Sequence, residues 1–517
     1  MEQLTPEILR FIRYLSFKND CLREQEASPL VIDLEKAQRH YDELEAIKQE
    51  KTEALAKVMP KLPVCSYKKK PNEDRMINKD GSLSAWAERW YQLLKEQHLP
   101  STTESTVTVI EGYEDGNPNS PSQVKEWLCS LGWKPCTYKY DRNKATGEEK
   151  KIEQVRYSSP SDPRKGMLTD SVLKLKAKEQ GIEHLEGLTV ASHRMSIFKG
   201  FLESATPLKD NPRYGHVVAG AGGFTNTLRL KHRAPIVNLP KVGSAWGEEI
   251  RGCIVAPPPK MREGVCSRKC QGVNVPCTKE CSLWDEYVVC GADVVSLESS
   301  TKKHYMWDYD PAYVTEMSAE GFDEHLDLAK HAGEITQEQI DLYNEGKAPE
   351  LKAVRNVFKP ANYAGVYGVK ELTLSRSTGM SVQRCKELIE AYWERNWSVK
   401  EIAKAQFVKT LKDGSMWLKN PISGFYYSLR YQKDTFSTLN QGTGVYLFDY
   451  WMMMSRRKGL KFSLSYHDEV MFYVEKGKEE ETTKLLQEAM REVNETLKLN
   501  VEITSDIQYG SSYSAVH

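Results

Sequence analysis

Arg355-Asn356-Val357-Phe358-Lys359-Pro360-Ala361-Asn362-Tyr363-Ala364-Gly365-Val366-Tyr367-Gly368 is the stretch that decides the fold. Arg355, Lys359, Tyr363 and Tyr367 recur every fourth residue. That spacing stacks successive side chains along one side of a helix, so two cations and two aromatic rings form a continuous strip. Such a strip can hold a nucleotide lengthwise. The cations meet a triphosphate through charge-assisted hydrogen bonds, and the first ring packs on sugar and base. Standing alone, the same spacing also describes an ordinary amphipathic helix. Pro360 interrupts the stretch, and its missing N–H and bulky ring favour a helix start or a kink there.

Two acids on either side of this stretch supply the complementary chemistry. Asp293 closes the apolar run Val288-Val289-Cys290-Gly291-Ala292, and Asp468 lies in the turn Tyr466-His467-Asp468-Glu469 between two apolar runs. Carboxylates at strand ends can share two magnesium ions, which activate an attacking oxygen and stabilise a leaving one in phosphoryl transfer. Taken singly, each acid also reads as a surface or capping residue. The runs Gly252 to Val255, Tyr287 to Val295, Phe462 to Ser465 and Val470 to Val474 read as strands, and a mostly helical block spans about 306 to 430. One sheet domain interrupted in sequence by a helical domain follows. Elsewhere, Asp33 caps a helix running to about Lys57, and helices are expected at Ala85 to Leu94, Ser171 to Gln180 and Ser192 to Glu203. Residues 141 to 165 read as an exposed hairpin or loop.

A chain of 517 residues carries about three domains. Hydrophobic residues at 40% and charged residues at 28% exclude general disorder. The formal net charge is zero, so only local charge bears on a nucleic-acid partner. Lys68 to Lys70 and the cluster Arg456, Arg457, Lys458 and Lys461 are basic, and either is a DNA contact or a solvated face. No apolar stretch approaches the ~20 residues a membrane span needs, and no secretion signal follows Met1. The expected place is the cytoplasm, that of the host if the protein is viral, with no membrane partner. Eleven cysteines, an odd number in a long chain, argue for reduced thiols or a metal site rather than a disulfide scaffold.

The order Asp293-x4-Glu298, Arg355-x3-Lys359-x3-Tyr363-x3-Tyr367-Gly368 and His467-Asp468-Glu469 resembles the three polymerase motifs of the DNA polymerase I family, family A. Asn238-Leu-Pro, Gly247-Glu-Glu-Ile-Arg251, Ile254-Val-Ala-Pro257, Leu439-Asn-Gln-Gly-Thr443 and Tyr509-Gly-Ser-Ser-Tyr513 are similar to its flanking segments, and the likeness is nearest to bacteriophage members. It extends from about Asp33 to His517. The resemblance implies an α+β right-hand polymerase fold. An N-terminal extension (1–28) would precede a thumb (29–210) with an accessory lobe at about 64–116. The palm would comprise 211–305, with a cysteine-rich insertion at 260–285, and 431–517, with helical fingers at 306–430. It implies primer-dependent, template-directed DNA synthesis from dNTPs. Asp293, Asp468 and the Val294 carbonyl would hold two magnesium ions, and Glu469 would support the primer end. Arg355, Lys359 and His325 would grip the triphosphate, with Tyr363, Tyr367 and Gly368 completing the nucleotide helix. Glu298 against Tyr363 would exclude a ribose 2′ hydroxyl, and Tyr in place of Phe at that position would admit dideoxynucleotides. Gln441, Arg229 and His467 would contact the primer and template. Primer-template DNA and dNTPs are thus the expected partners of a monomer, with a separate exonuclease or a processivity factor as candidates.

The chain departs from the family in places. Thr227-Leu228-Arg229 stands where Thr-Gly-Arg is usual. Cys266, Cys270, Cys277 and Cys281, spaced Cys-x3-Cys-x6-Cys-x3-Cys, could close around one tetrahedral zinc ion or remain free thiols. Cys253 and Cys290, in apolar runs, read as core. Fewer than forty residues precede the first family-like helix, so no intrinsic 3′ to 5′ proofreading activity is expected of this chain. Asp33-Leu-Glu35 imitates a nuclease motif, but helix capping explains Asp33 better. Two rivals stay open: a single-subunit RNA polymerase and a catalytically silent DNA-binding subunit. Glu298 and Glu469 argue against the first, and the pair Asp293 and Asp468 against the second.

Overall fold

The computed structural model describes residues 5–102, 106–143, 146–158, 164–261 and 284–516. The chain divides into two compact units, one of residues 1–45, 159–165 and 192–517, the other of 46–158 and 166–191. It is a mixed α+β fold.

The apolar runs around the two acids pair with one another in the first unit. Strands Leu464–Tyr466, Glu469–Glu475, Tyr287–Val294 and Ser505–Gly510 form a four-stranded sheet in that order, antiparallel throughout. Tyr287–Val294 is paired on both edges, and its middle residues are buried, which is why it reads as a continuous apolar run. Ala292, Val294, Val470, Phe472 and Val474 pack with Phe448, Trp451 and Met452 of the helix Thr435–Arg457 and with Leu486, Met490 and Val493 of the helix Glu479–Leu497. Each such side chain contributes about 1.5–3 kcal/mol when fully buried. The sheet end carrying the acids is thereby held rigid.

A second four-stranded sheet, ordered Ile254–Val255, Leu30–Asp33, Tyr214–Val217 and Thr206–Pro207, corrects two expectations. Gly252 and Cys253 lie outside the strand, because the helix Gly247–Arg251 occupies the residues just before them. Leu30–Asp33, all four residues buried, was not anticipated as a strand. Asp33 therefore ends a strand as well as opening the helix Leu34–Val58. Its carboxylate accepts from the Lys36 amide at 3.0 Å and pairs with Arg213 at 2.7 Å.

Between the two halves of the first sheet runs a helical block, from Leu297–Met306 to Trp397–Ala405. It ends in a three-stranded sheet, Val408–Thr410, Met416–Lys419 and Tyr426–Leu429, within the stretch expected to be mostly helical. Leu351–Val366 is one helix, continuous through Pro360, so the helix does not start there. Pro360 is buried beside Phe358 and Ala361, and packing outweighs the lost hydrogen bond. The helix ends at Gly368, whose φ of +61° few other residues adopt cheaply, with the Val369 amide reaching back to the Ala364 carbonyl at 3.2 Å. Residues 6–27 form a helix seated on this unit. Its Lys18 makes a buried ion pair with Asp449, and Glu24 pairs with Arg456 at 3.0 Å.

In the second unit, Leu62–Lys69 pairs with Thr106–Glu114, and the ribbon's Val107 packs with Trp90 and Leu94 of the helix Ala85–Glu96. A hairpin, Tyr138–Arg142 with Glu149–Glu153, begins three residues before the stretch read as a hairpin or loop and covers only its first part. The single helix expected at 171–180 is instead Asp170–Leu173 followed by two 3₁₀ turns, Lys174–Ala177 and Gln180–Leu185, with Gly181 in the second turn. The basic clusters are partly engaged within the chain: Lys68 with Glu111 at 3.2 Å, and Lys458 with Glu492 at 2.7 Å.

Candidate functional site

Asp293, near the end of the central strand, lies directly across from Glu469 on one neighbour and Asp506 on the other. Cross-strand partners share a face, so three carboxylates converge there. Asp468 is brought in by the chain itself. Its carbonyl accepts from the Val294 amide at 3.0 Å, which ties the hairpin tip to the end of the Asp293 strand. His467 and Asp468 are the two-residue loop of that hairpin, and His467 takes a φ of +67°, a value that ordinarily calls for glycine. The Asp293 carboxyl is held above the usual carboxylate range, first by burial and then by the negative charges of Asp506, Glu469 and Asp468. Glu469 is buried and accepts from the Tyr513 hydroxyl at 3.2 Å. Sequence reading missed Asp506, because its alignment with Asp293 is a matter of strand register.

Among the described residues, no three His, Cys, Asp or Glu side chains are arranged to close around a metal ion. Magnesium does not require that. It binds through one or two carboxylates, keeps several waters and takes substrate phosphates as further ligands. Carboxylates crowded enough to raise Asp293 are a donor set that a divalent cation would relieve, so the residues present fit such an ion. Cys266, Cys270, Cys277 and Cys281, the candidate zinc ligands, lie outside the described residues. Cys253 and Cys290 are fully buried.

The helix Leu351–Val366 presents the strip. Gly365 lets it approach the helix Val382–Arg395 closely, since a Cβ there would lie 2.5 Å from the Tyr392 ring. Tyr363 and Tyr367 are about half exposed, and the Lys359 ammonium stands 5.8 Å from the centre of the Tyr363 ring. Arg355 is paired with Asp323, a partner the sequence did not disclose. Asp323 also caps the helix Glu324–His331, accepting from the His325 amide at 2.9 Å and the Leu326 amide at 3.1 Å. One carboxylate thus fixes Arg355 beside the turn that carries His325. The His325 ring lies 5.4 Å from that of Tyr363, and both Arg355 and Lys359 act on its charge. Arg355, Lys359 and His325 are therefore gathered.

A cavity of about 280 Å³ joins the two halves of the site. Tyr363 and Tyr367 line it from the strip, Asp468 from the hairpin tip and Glu298 from the helix Leu297–Met306. Gln441 lines it too, and its amide donates to the Tyr367 hydroxyl at 3.1 Å. The Asn440 amide donates to the Glu298 carbonyl at 2.9 Å. Lys302, 5% exposed, also borders the cavity, and burial lowers its ammonium below the usual range despite Glu324 and Asp327 nearby. Nothing in the sequence singled it out. Burial, followed by the charge of Arg229, pushes His467 down to about 4. Arg229 acts on Tyr367 as well, so it stands at the same edge of the site.

These features place a cavity between the hairpin tip that carries Asp468 and the aromatic end of the helix Leu351–Val366, on an α+β fold. Residues 310–515 match the family model of DNA polymerase family A. Over 223 residues the chain is 26% identical to DNA polymerase I of Helicobacter pylori strain ATCC 700392 / 26695, covering 41% of this chain and 23% of that protein. The strain J99 protein of the same name is 25% identical over the same shares. The chain thus spans about a quarter of the length of these curated relatives. Among solved structures it is similar to the POL domain of Pol1 from M. smegmatis, in complex with DNA primer-template and dNTP. The TM-score is 0.62 at 17% identity, over 97% of this chain and 70% of that one. The chain shares its fold with that POL domain. No helix among the described residues is long and apolar enough to cross a membrane.

Proposed function

We propose that the protein is a DNA-directed DNA polymerase that extends a primer on a template from dNTPs. The single observation that carries this is the cavity lined at once by Tyr363, Tyr367, Glu298 and Asp468. In this reading Arg355, Lys359 and His325 hold the triphosphate and stabilise the charge that develops as pyrophosphate leaves. Tyr363 packs on sugar and base. Glu298 fills the space a 2′ hydroxyl would need, which favours deoxynucleotides over ribonucleotides. Gln441, Arg229 and His467 meet the primer and template at the far edge, and Glu469 steadies the primer end from its buried position. Asp293 and Asp468, with the Val294 carbonyl, would hold two magnesium ions, which supply activation of the primer hydroxyl and charge neutralisation at the phosphates.

The strand order and the helical block support a palm of 211–305 and 431–517 and fingers of 306–430; a thumb within 29–210 completes the reading, less the strand Leu30–Asp33, which pairs with Tyr214–Val217 and Ile254–Val255 of the palm, and DNA is held chiefly through phosphates. The reading carries no intrinsic proofreading. The Asp33 carboxylate is engaged by Arg213 and the Lys36 amide, which explains its place without a nuclease metal. Primer extension with each dNTP supplied singly on defined templates tests the proposal. Incorporation should follow the template base and require magnesium. Template-independent addition, or equal use of ribonucleotides, would overturn it.

A further inference from the structure

Asn362 sits immediately before Tyr363 and is 4% exposed. Its amide nitrogen donates to the Glu324 carbonyl at 3.2 Å and lies 3.1 Å from Nδ1 of His325. A backbone carbonyl only accepts, so the first contact fixes which end of the amide is NH₂. The second hydrogen of that NH₂ is then directed at Nδ1, which must present a lone pair. The ring proton is thereby placed on Nε2.

Resting on the nucleotide seat proposed above, we propose that Asn362 is a positioning residue. It locks His325 as the neutral Nε2–H tautomer, so that a donor, not an acceptor, is offered to the phosphates of the incoming nucleotide. The lock needs an uncharged ring, because an imidazolium would bring an Nδ1–H against the Asn362 amide hydrogen. The groups facing the ring are mixed: Glu324 and Asp323 favour the charged form, whereas Arg355 and Lys359 oppose it. Burial is the largest influence and sets His325 below its ordinary value. The Tyr363 ring covers a further side. Neutral pH therefore finds a ring with a defined donor nitrogen. An untethered neutral histidine would divide its proton between two nitrogens and offer phosphate oxygen a repelling lone pair part of the time.

The test is histidine-selective ¹⁵N NMR of the intact chain, with the His325 signal assigned by His325→Gln, alongside single-nucleotide incorporation. Wild type should show Nδ1 unprotonated and Nε2 protonated throughout neutral pH. Asn362→Leu should release the proton to both nitrogens and raise the nucleotide KM about tenfold, with a smaller change in kcat. Asn362→Asp, nearly the same size, should instead accept from Nδ1 and raise the His325 pKa, shifting the pH profile of KM upward. It keeps the idea testable if Asn362→Leu fails to fold. An unchanged tautomer in Asn362→Leu, or an unchanged His325 pKa in Asn362→Asp, would overturn the lock. A released tautomer with unaltered KM would overturn its bearing on the nucleotide. Wild type with a locked ring but no templated incorporation would overturn the polymerase reading and the phosphate role with it, while upholding the lock itself.

Discussion

Asp449→Ala should be among the most destabilising single changes in the first unit. The Asp449 and Lys18 side chains are each 3% exposed and paired, and the Tyr14 hydroxyl donates to the same carboxylate. Removing the carboxylate leaves a buried ammonium without its counter-charge, which costs about 3–5 kcal/mol. Removing both charges, as Lys18→Met with Asp449→Leu, leaves only the Tyr14 hydroxyl short of an acceptor, about 1–3 kcal/mol. The double variant should therefore be more stable than Asp449→Ala, the reverse of additivity. Urea unfolding followed by tryptophan fluorescence suits the question, because Trp451 is buried in the same core. The consequence reaches the site, since Asn440 and Gln441 lie on the same helix as Asp449, about two and a half turns away. Nucleotide KM should rise in the single variant at urea concentrations below its transition. A cost under ~1 kcal/mol for Asp449→Ala, or a double variant as unstable as the sum of the singles, would refute the reasoning.

Asp293→Asn should raise the melting temperature of the metal-free protein while abolishing synthesis, because the folded state holds this carboxyl above its ordinary range by burial and like charge. A carboxyl raised in the folded state destabilises the fold fully above its folded-state pKa, and the effect disappears as pH falls to its unfolded-state value, so the gain should be largest at neutral pH and fade in acid; a gain that grows in acid would contradict the assignment. Glu298→Ala should relax sugar choice, improving ribonucleotide over deoxynucleotide use by about ten- to a hundredfold in kcat/KM, read by parallel extension with the two pools. Tyr363→Phe should reduce termination by dideoxynucleotides, and equal termination by both forms would sink that role. Zinc analysis after chelation should find about one ion per chain if Cys266, Cys270, Cys277 and Cys281 close a tetrahedral site. A metal-free protein with unchanged folding would assign free thiols.

Much of the site was legible because its chemistry is local. The four-residue spacing from Arg355 to Tyr363 survives into one helix, with Tyr367 at its C-cap, and Asp293 and Asp468 announce themselves by closing or interrupting apolar runs. What stayed hidden depends on register and tertiary packing. Asp506 gains meaning only when Ser505–Gly510 pairs with the Asp293 strand, and Asp323 only when its helix start meets Arg355. Lys302 reads as one more helix lysine until its burial is known. Pro360 does not start the helix, because burial beside Phe358 and Ala361 offsets its local penalty. Leu30–Asp33 was overlooked because it runs without a turn into the helix Leu34–Val58, so that Asp33 reads as the cap of that helix.

The most direct measurement is magnesium-dependent primer extension by Asp293→Asn and Asp468→Asn beside wild type, with folding checked by melting. Loss of either carboxylate should slow incorporation by ~10³-fold or more while primer-template binding persists. Either variant extending primers at near wild-type rate would show that these acids do not carry the chemistry.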